Sequence, residues 1–156
     1  MKKQFFDLMD KIMAENIDVY LLMVGLGYPR VSEFLLKYPD RAFNTEASEQ
    51  TAFDIAVGLA LGGKIPFVYT ITPFLFRGWE TIRSYINYQK LNVKLVGVGR
   101  NNDYSKKDGF SHYAGDMRKF MTLFENIIQY WPTNNLFQVL ELAVINNKPT
   151  FISLRK

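Results

Sequence analysis

The side chains best suited to chemistry in this 156-residue chain are a glutamate, a phenylalanine and the only histidine. Glu49 follows Ser48 at the start of the most apolar helix-like stretch, 51–61, where a charge is costly to bury. Phe74 follows an apolar run, and His112 lies in a polar segment. A carboxylate and an imidazole exchange protons near neutral pH, and an aromatic ring offers a flat apolar face. These three side chains predict one site.

Each of these residues also has an ordinary structural interpretation. An acid in the first turn of a helix is favoured by the helix dipole by about 0.3–1 kcal/mol. Phe74 is one of thirteen phenylalanines and fits a core position equally well. A histidine in a loop is usually just solvated, and the pair Asp108-Gly109 suits a tight turn. Residue types alone therefore leave both interpretations open.

Composition limits the classes of protein and of site. The length fits one domain, and the absence of cysteine excludes disulfides and thiolate metal sites. The 19 basic residues exceed the 15 acidic ones, but they are scattered and form no basic face, so no nucleic-acid partner is expected. The longest apolar runs are shorter than the roughly 20 residues that span a bilayer. We therefore predict a protein without a membrane partner, in the cytoplasm.

Apolar periodicity alternates between strand and helix spacing along the chain. Strands are predicted at 19–24, 42–44, 65–69, 93–98, 126–130 and 150–154. Helices are predicted at 5–13, from a Ser32 cap to Tyr38, from a Ser48 cap to Gly62, around 79–86, and after a Thr133 cap. The segment 99–111 is the least regular part of the sequence, and loops of that length are commonly functional or disordered.

Strands separated by helices of this length predict right-handed crossovers and a three-layer α/β/α fold, with a mainly parallel sheet of about six strands. We expect the whole chain, 1–156, to form one domain. Ligands of such folds bind beyond the carboxyl ends of the strands. The candidate site is therefore expected in the segments 25–29, 45–49, 70–74 and 99–112.

Several separated motifs resemble the pyrimidine-binding domain of the transketolase family. The first are Asp40-Arg41-Ala42-Phe43-Asn44, Ala47-Ser48-Glu49-Gln50, and the run 58–68, Gly-Leu-Ala-Leu-Gly-Gly-Lys-Ile-Pro-Phe-Val. The others are Pro73-Phe74, Ile82-Arg83, Asn92-Val93-Lys94, Asp108-Gly109 with His112, and Pro132. Order and spacing both match, so the resemblance covers 18–154 and identifies the fold as that of the family's pyrimidine-binding domain.

The resemblance implies thiamine diphosphate chemistry, with this domain gripping the aminopyrimidine ring of the cofactor. Glu49 matches the family's glutamate, which hydrogen-bonds a ring nitrogen and is both a catalytic and a cofactor-binding residue. A carboxyl group shielded from water can share a proton near neutral pH, which an exposed one cannot. The proton placed on the ring favours its imino form, whose nitrogen then takes the proton from the thiazolium carbon and activates the cofactor.

The resemblance implies roles for five further positions. Phe74 matches an aromatic that stacks on the pyrimidine, and Ile71 stands where relatives carry another aromatic, so both are expected to bind the cofactor. His112 matches the active-site histidine, expected to bind substrate oxygens and move protons on them. Asp108 matches an acid that contacts substrate hydroxyls. Arg100 falls near a position that binds substrate phosphate, although a solvated loop arginine is the ordinary interpretation.

The sequence also departs from the family pattern. Glu46 stands where relatives commonly have glycine, Gly115 precedes Asp116 where an acid often stands, and 100–103 replaces a glycine-rich stretch. These departures leave the donor and acceptor substrates, their phosphorylation or nucleotide linkage, and the pathway unassigned.

The family holds the cofactor's diphosphate and its Mg²⁺ (or Ca²⁺) in a separate domain with a Gly-Asp-Gly motif, which does not occur here. We therefore expect that the diphosphate-binding and carboxyl-terminal domains are absent and that a partner chain supplies the diphosphate-binding half. Two copies of each chain are the expected assembly. An exposed apolar surface is expected around Phe74 and Ser48, because such patches mark interfaces.

Three functions follow as hypotheses. The first is the pyrimidine-binding subunit of a split transketolase-like transferase, which moves a two-carbon ketol unit between small sugar substrates and is active only with its partner. The second keeps the cofactor but makes the enzyme a 2-keto-acid decarboxylase or similar to deoxyxylulose-phosphate synthase. The third is a degenerate scaffold or regulatory subunit. Glu49 and His112 disfavour the third, whereas Ile71 and the altered loop favour it.

Overall fold

A single parallel sheet organises the molecule. The computed structural model describes residues 1–25 and 29–156. Its strands are β1 (Val19–Met23), β2 (Ala42–Asn44), β3 (Ile65–Ile71), β4 (Lys94–Val98), β5 (Ile128–Tyr130) and β6 (Thr150–Leu154). They form a six-stranded sheet of order β2-β1-β3-β4-β6-β5, and every neighbouring pair is parallel. The predicted fold class is thereby confirmed.

Helices connect these strands. They are α1 (Lys2–Glu15), α2 (Pro29–Lys37), α3 (Glu49–Leu61), α5 (Met117–Met121) and α6 (Leu136–Ile145). Between β3 and β4 runs the 72–88 helical segment, which is 3₁₀ over Thr72–Gly78, α over Trp79–Thr81 (α4) and π over Ile82–Tyr88. The short helix α5 was not predicted, because five residues give too little periodicity to recognise.

Two predicted helix starts were wrong. Helix α2 begins at Pro29 rather than after Ser32, which agrees with the preference of proline for the first turn of a helix. Helix α6 begins after Asn135 rather than after Thr133, and asparagine is among the most favoured residues at the N-cap position. Ser48 does precede α3, although its hydroxyl contacts the Thr51 hydroxyl at 2.6 Å instead of capping a backbone N–H.

The apolar side chains form one core on each face of the sheet. On one face α1, α2 and α6 contribute Phe5, Phe6, Met9, Phe34, Leu136 and Leu140. On the other face α3, the 72–88 segment and α5 contribute Ala52, Phe53, Leu75, Ile82, Ile86 and Met117. The sheet is thus the middle layer of three, as an alternation of strands and helices requires.

Because all strands are parallel, their carboxyl ends meet at one edge of the sheet. The loop 45–48, the 72–78 turn and the segment 99–116 all leave the sheet at that edge. The fourth expected site segment, 25–29, lies outside the described residues at positions 26–28. None of the helices in 1–25 and 29–156 combines the length and the apolar character needed to cross a membrane.

Glu46 adopts a backbone conformation that favours glycine, with a φ of 56°. A left-handed conformation costs a residue with a Cβ roughly 1–2 kcal/mol. Glycine avoids this steric cost, but it loses more backbone entropy on folding, so the net gain is smaller. We therefore expect Glu46→Gly to raise the free energy of unfolding by about 0.5–1 kcal/mol, measured by urea denaturation. Glu46→Ala, which removes the side chain but keeps the strain, is the control, and an equal gain in both variants would contradict the prediction.

Candidate active site

Glu49 is a buried acid at the first residue of α3. Only 3% of its surface is exposed, although it lies at the edge where the strands end. The Nη1 of Arg77 donates to both of its carboxylate oxygens, at 2.8 and 2.9 Å. The positive end of the helix dipole also favours a negative charge at this position. The carboxylate is therefore held in place by a cation from the 72–78 turn.

Arg77 also contacts an aromatic ring. Its guanidinium carbon lies 4.1 Å from the centroid of the Phe74 ring, a cation–π contact. The Arg77 side chain is 50% exposed, but its head group pairs with Glu49. This pairing joins residues 28 positions apart, so no local pattern could reveal it.

His112 lies against the same phenylalanine. The His112 and Phe74 ring centroids are 5.1 Å apart and meet edge to face, while Tyr104 lies 5.3 Å from His112 on another side. The Nδ1 of His112 is 3.2 Å from the Ser111 hydroxyl. The structure thus brings Glu49, Arg77, Phe74 and His112 together, and we refer to these four residues as the Glu49 cluster.

Tyr104 is a member of the site region that the sequence did not single out. Its ring packs against Gly99, where an added Cβ would come within 2.3 Å of the ring. Burial raises the pKa of the Tyr104 hydroxyl. The Nζ of Lys156 lies 4.4 Å from its ring centroid. The sequence signal for this contact was Gly99, directly after a buried strand, because a glycine there lets another group approach the backbone closely.

Two of the other three predicted site residues, Ile71 and Asp108, lie at the same edge in different settings. Ile71 is the last residue of β3, partly buried and paired in register with Val98. Asp108 closes a local turn, since its Oδ2 accepts from the backbone N–H of Ser105 at 2.7 Å and from the Ser105 hydroxyl at 3.0 Å. These bonds lower the pKa of the Asp108 carboxyl. Asp108 thus stabilises the turn, and its contact with substrate hydroxyls stays a prediction.

Arg100 is a buried anchor of the loop after β4. Its Nη2 donates to the carbonyl oxygens of Pro132, at 2.6 Å, and Ser153, while its Nε donates to the Ser153 hydroxyl at 3.1 Å. Burial lowers the pKa of this guanidinium. Three of its five N–H donors are therefore used within the fold. The proposed contact with a substrate phosphate stays a prediction, and in this conformation it falls to Nη1.

A cavity of about 450 Å³ opens beside the Glu49 cluster. It is lined by Asn102, Tyr104, Ser105, Gly109, Phe110 and Tyr113. Tyr104 belongs both to this wall and to the surroundings of His112, so the cavity and the cluster are neighbours. Phe110 is 95% exposed, which leaves a large apolar ring in water at this edge. In the described part of the chain, no three acidic or histidine side chains come together to hold a metal ion.

Comparison with protein families identifies the family of this domain. The family model described as "Transketolase, pyrimidine binding domain" matches residues 1–156. A putative transketolase C-terminal section from Methanocaldococcus jannaschii is 34% identical over 109 residues, 69% of this chain and 34% of that protein. One of the subunits of apulose-4-phosphate transketolase from Actinobacillus succinogenes is 31% identical over 128 residues, 80% of this chain and 41% of that protein. The chain thus spans well under half of these relatives.

A solved structure agrees with this assignment. The structure described as a split gene transketolase, in an inactive beta4 tetramer, superposes with a TM-score of 0.82 at 28% identity over 99% of this chain and 50% of that one. A transketolase mutant from Pichia stipitis shares the fold, with a TM-score of 0.80 at 15% identity. The chain therefore belongs to the family of transketolase pyrimidine-binding domains.

Proposed function

We propose that this chain is the pyrimidine-binding subunit of a split, thiamine-diphosphate-dependent transketolase-like enzyme, which transfers a two-carbon ketol unit between sugars. The observation that carries the proposal is the carboxylate of Glu49, 3% exposed, which the Arg77 guanidinium links to the face of Phe74 at the carboxyl edge of the sheet. Two similar proteins support the split organisation, since one is named as a separate transketolase subunit and another as a split gene transketolase.

The residues present fit an aminopyrimidine ring. Such a ring needs a carboxyl group that can share a proton with a ring nitrogen at its edge and an apolar surface at its face, which are the buried Glu49 and Phe74 here. The position of Arg77 supports this fit, because its flat N–H-bearing group already contacts both Glu49 and Phe74. In the loop before Glu49, the buried hydroxyl oxygen of Thr45 has no hydrogen-bond partner among the described residues. A polar ligand beside this loop would satisfy it.

Each side chain then has a defined task. The chemistry supplied by thiamine diphosphate when bound is a nucleophilic carbon, which side chains alone do not provide. Glu49 accepts a hydrogen bond from the ring and shares a proton with it, while Phe74 and Ile71 hold the ring in orientation. His112, in contact with Phe74, binds and protonates substrate oxygens.

Two further residues complete the proposed substrate side. Asp108 receives substrate hydroxyl groups, and Arg100 receives a phosphate group if the substrate carries one. Both belong to the segment that includes the 450 Å³ cavity, so a sugar bound there lies next to His112.

A partner chain provides the rest of the enzyme in this proposal. The diphosphate and its Mg²⁺ or Ca²⁺ are held by a diphosphate-binding subunit, and two copies of each chain form the particle. The exposed rings of Phe110 (95%) and Tyr113 (53%), together with Phe76 (36%), support an interface at this edge. The cytoplasm is the proposed location.

A second reaction type has its own support. 1-Deoxy-D-xylulose-5-phosphate synthase from Dehalococcoides mccartyi is 31% identical over 153 residues, which is 93% of this chain but only 23% of that protein. A related reaction would use the same Glu49 cluster with a 2-keto acid as donor. The altered loop 99–111 is where the two donors would be distinguished.

Reconstitution tests the proposal. We expect this chain mixed with a purified diphosphate-binding transketolase subunit, thiamine diphosphate and Mg²⁺ to transfer a ketol unit from a ketose donor, while either chain alone is inactive. Pyruvate in place of the ketose tests the alternative donor. Activity of this chain alone, or a mixture that never binds thiamine diphosphate, would refute the proposed function.

A further inference from the structure

Arg77 makes the two contacts that the proposed function assigns to the aminopyrimidine ring. Its Nη1 bonds both oxygens of Glu49, at 2.8 and 2.9 Å, and its guanidinium carbon lies 4.1 Å from the Phe74 ring centroid. A guanidinium and an aminopyrimidine are both flat groups with a π-face, and the aminopyrimidine also presents an N–H at its edge once its ring nitrogen holds the proton shared with Glu49. The Arg77 guanidinium therefore lies on the carboxylate and on the ring face that the proposed function gives to the aminopyrimidine.

The energetics explain why an arginine occupies this place. Glu49 is 3% exposed, and a buried carboxylate without a partner is strongly destabilising. Arg77 supplies the missing partner while half of its own side chain, 50%, remains in water. The two partners therefore differ in burial. Glu49 is enclosed by the protein, whereas the half-exposed Arg77 side chain can rotate into solvent.

Displacement of Arg77 requires only rotation of its side chain. The next residue is Gly78, which is buried, and a Cβ added there would come within 1.9 Å of the Phe53 ring. The backbone beside Arg77 is thus packed tightly against the core. The turn keeps its position while the exposed side chain moves.

We propose that the guanidinium of Arg77 is an internal stand-in for the aminopyrimidine ring, which neutralises Glu49 in the unloaded subunit and is displaced when the cofactor binds. This inference rests on the proposed function. The stand-in lowers the apparent affinity for the ring by the fraction of molecules in which Arg77 has turned away. It also stabilises the unloaded chain, since Glu49 is paired in every molecule in which Arg77 has not turned away.

The experiment uses the full chain with thiamine as the probe, because thiamine carries the aminopyrimidine ring without the diphosphate. Arg77→Met keeps a long side chain and removes the guanidinium. We expect this variant to lower the Tm of the unloaded chain by at least about 3 °C, since Glu49 loses its partner. We expect the same variant to bind thiamine about tenfold more tightly by calorimetry, since the competitor is gone.

The control is Arg83→Met, which removes an exposed arginine that pairs with Glu80 on the same helical segment. It is expected to leave both the Tm and the Kd within error of the unmodified chain. Weaker or unchanged thiamine binding by Arg77→Met overturns the proposal, and so does a structure with thiamine bound in which Arg77 still bonds Glu49.

A third variant separates this inference from the proposed function. Glu49→Gln is expected to weaken thiamine binding in the chain that retains Arg77. If Glu49→Gln does weaken binding and Arg77→Met does not tighten it, the stand-in role alone is wrong. If Glu49→Gln binds thiamine as the unmodified chain does, or if none of the proteins binds it, the ring site itself is wrong and the inference falls with it.

Discussion

Glu49→Gln is expected to lower the kcat of the reconstituted two-chain enzyme by at least about 100-fold, the low end of what a positioned proton-transfer group contributes. Glutamine has nearly the same shape and can still bond Arg77 through its amide oxygen, so the fold persists. It cannot share a proton with the cofactor ring, and the loss therefore falls on the activation step. The measurement is steady-state turnover at saturating thiamine diphosphate.

The matched control is Glu46→Gln, which neutralises an exposed acid three positions away in the same loop. It is expected to change kcat less than twofold, because the Glu46 side chain is exposed and its Oε1 accepts from the Asn44 amide at 3.4 Å. Unchanged thermal unfolding of both variants would show that the loss is chemical rather than structural. If Glu49→Gln leaves turnover intact, the scaffold hypothesis replaces catalysis by this subunit.

Most of the fold was predictable because the apolar pattern of each strand is local. Strands 42–44 and 150–154 were predicted with the ends that the structure gives them. The helix after β3 was harder: its turns change from 3₁₀ to α to π over 72–88, so no single period describes it. Helix starts were also missed, since several capping residues near Pro29 and Asn135 compete for each start.

The site was predictable only in part, for a physical reason. Parallel strands carry their carboxyl ends to one edge, so Glu49, Phe74 and His112 were expected near one another from order alone, and the structure brings them together. What a side chain does there depends on partners distant in sequence. Arg77 pairs across 28 residues, and Arg100 is tied to Ser153 across 53. Neither partner is visible in a local motif.

The resemblance supplied what the pattern could not. Chemistry-bearing residues at a sheet edge indicate a site, but they do not specify thiamine diphosphate. That identification depended on the order of several motifs, and the family match over 1–156 confirms the domain family that those motifs indicated. We propose that the segment 99–111, which departs from the family pattern, determines which substrate binds.

The second large effect concerns Lys94, far from the proposed chemistry at the first residue of β4. Its side chain is fully buried, and its Nζ donates to Asn146 Oδ1 at 2.8 Å and to the Lys148 carbonyl at 2.6 Å. Burial lowers the pKa of this amine to about 7, from the ordinary value of 10.5. A buried amine that loses its proton near neutral pH makes stability depend on pH.

The sign follows from which state holds the proton. Between pH 7 and 10.5 the unfolded chain keeps the Lys94 proton, whereas the folded chain has largely released it. Stability therefore rises with pH through this window, and below pH 7 the cost of burying the charged amine is fully present. From pH 7 to pH 9 this one group is expected to raise the free energy of unfolding by about 2 kcal/mol.

Lys94→Met isolates that contribution because methionine has no titrating group and similar length. We expect urea unfolding of the unmodified chain to gain about 2 kcal/mol relative to Lys94→Met between pH 7 and pH 9. The two acceptors stay satisfied in the variant, since Asn146 Oδ1 also accepts from the backbone N–H of Lys148, whose carbonyl accepts from Thr150. The control, Lys119→Met, removes an exposed lysine and is expected to keep the slope of the unmodified chain. An equal slope in Lys94→Met would mean that Lys94 stays charged when folded, stabilised by its two acceptors despite its burial.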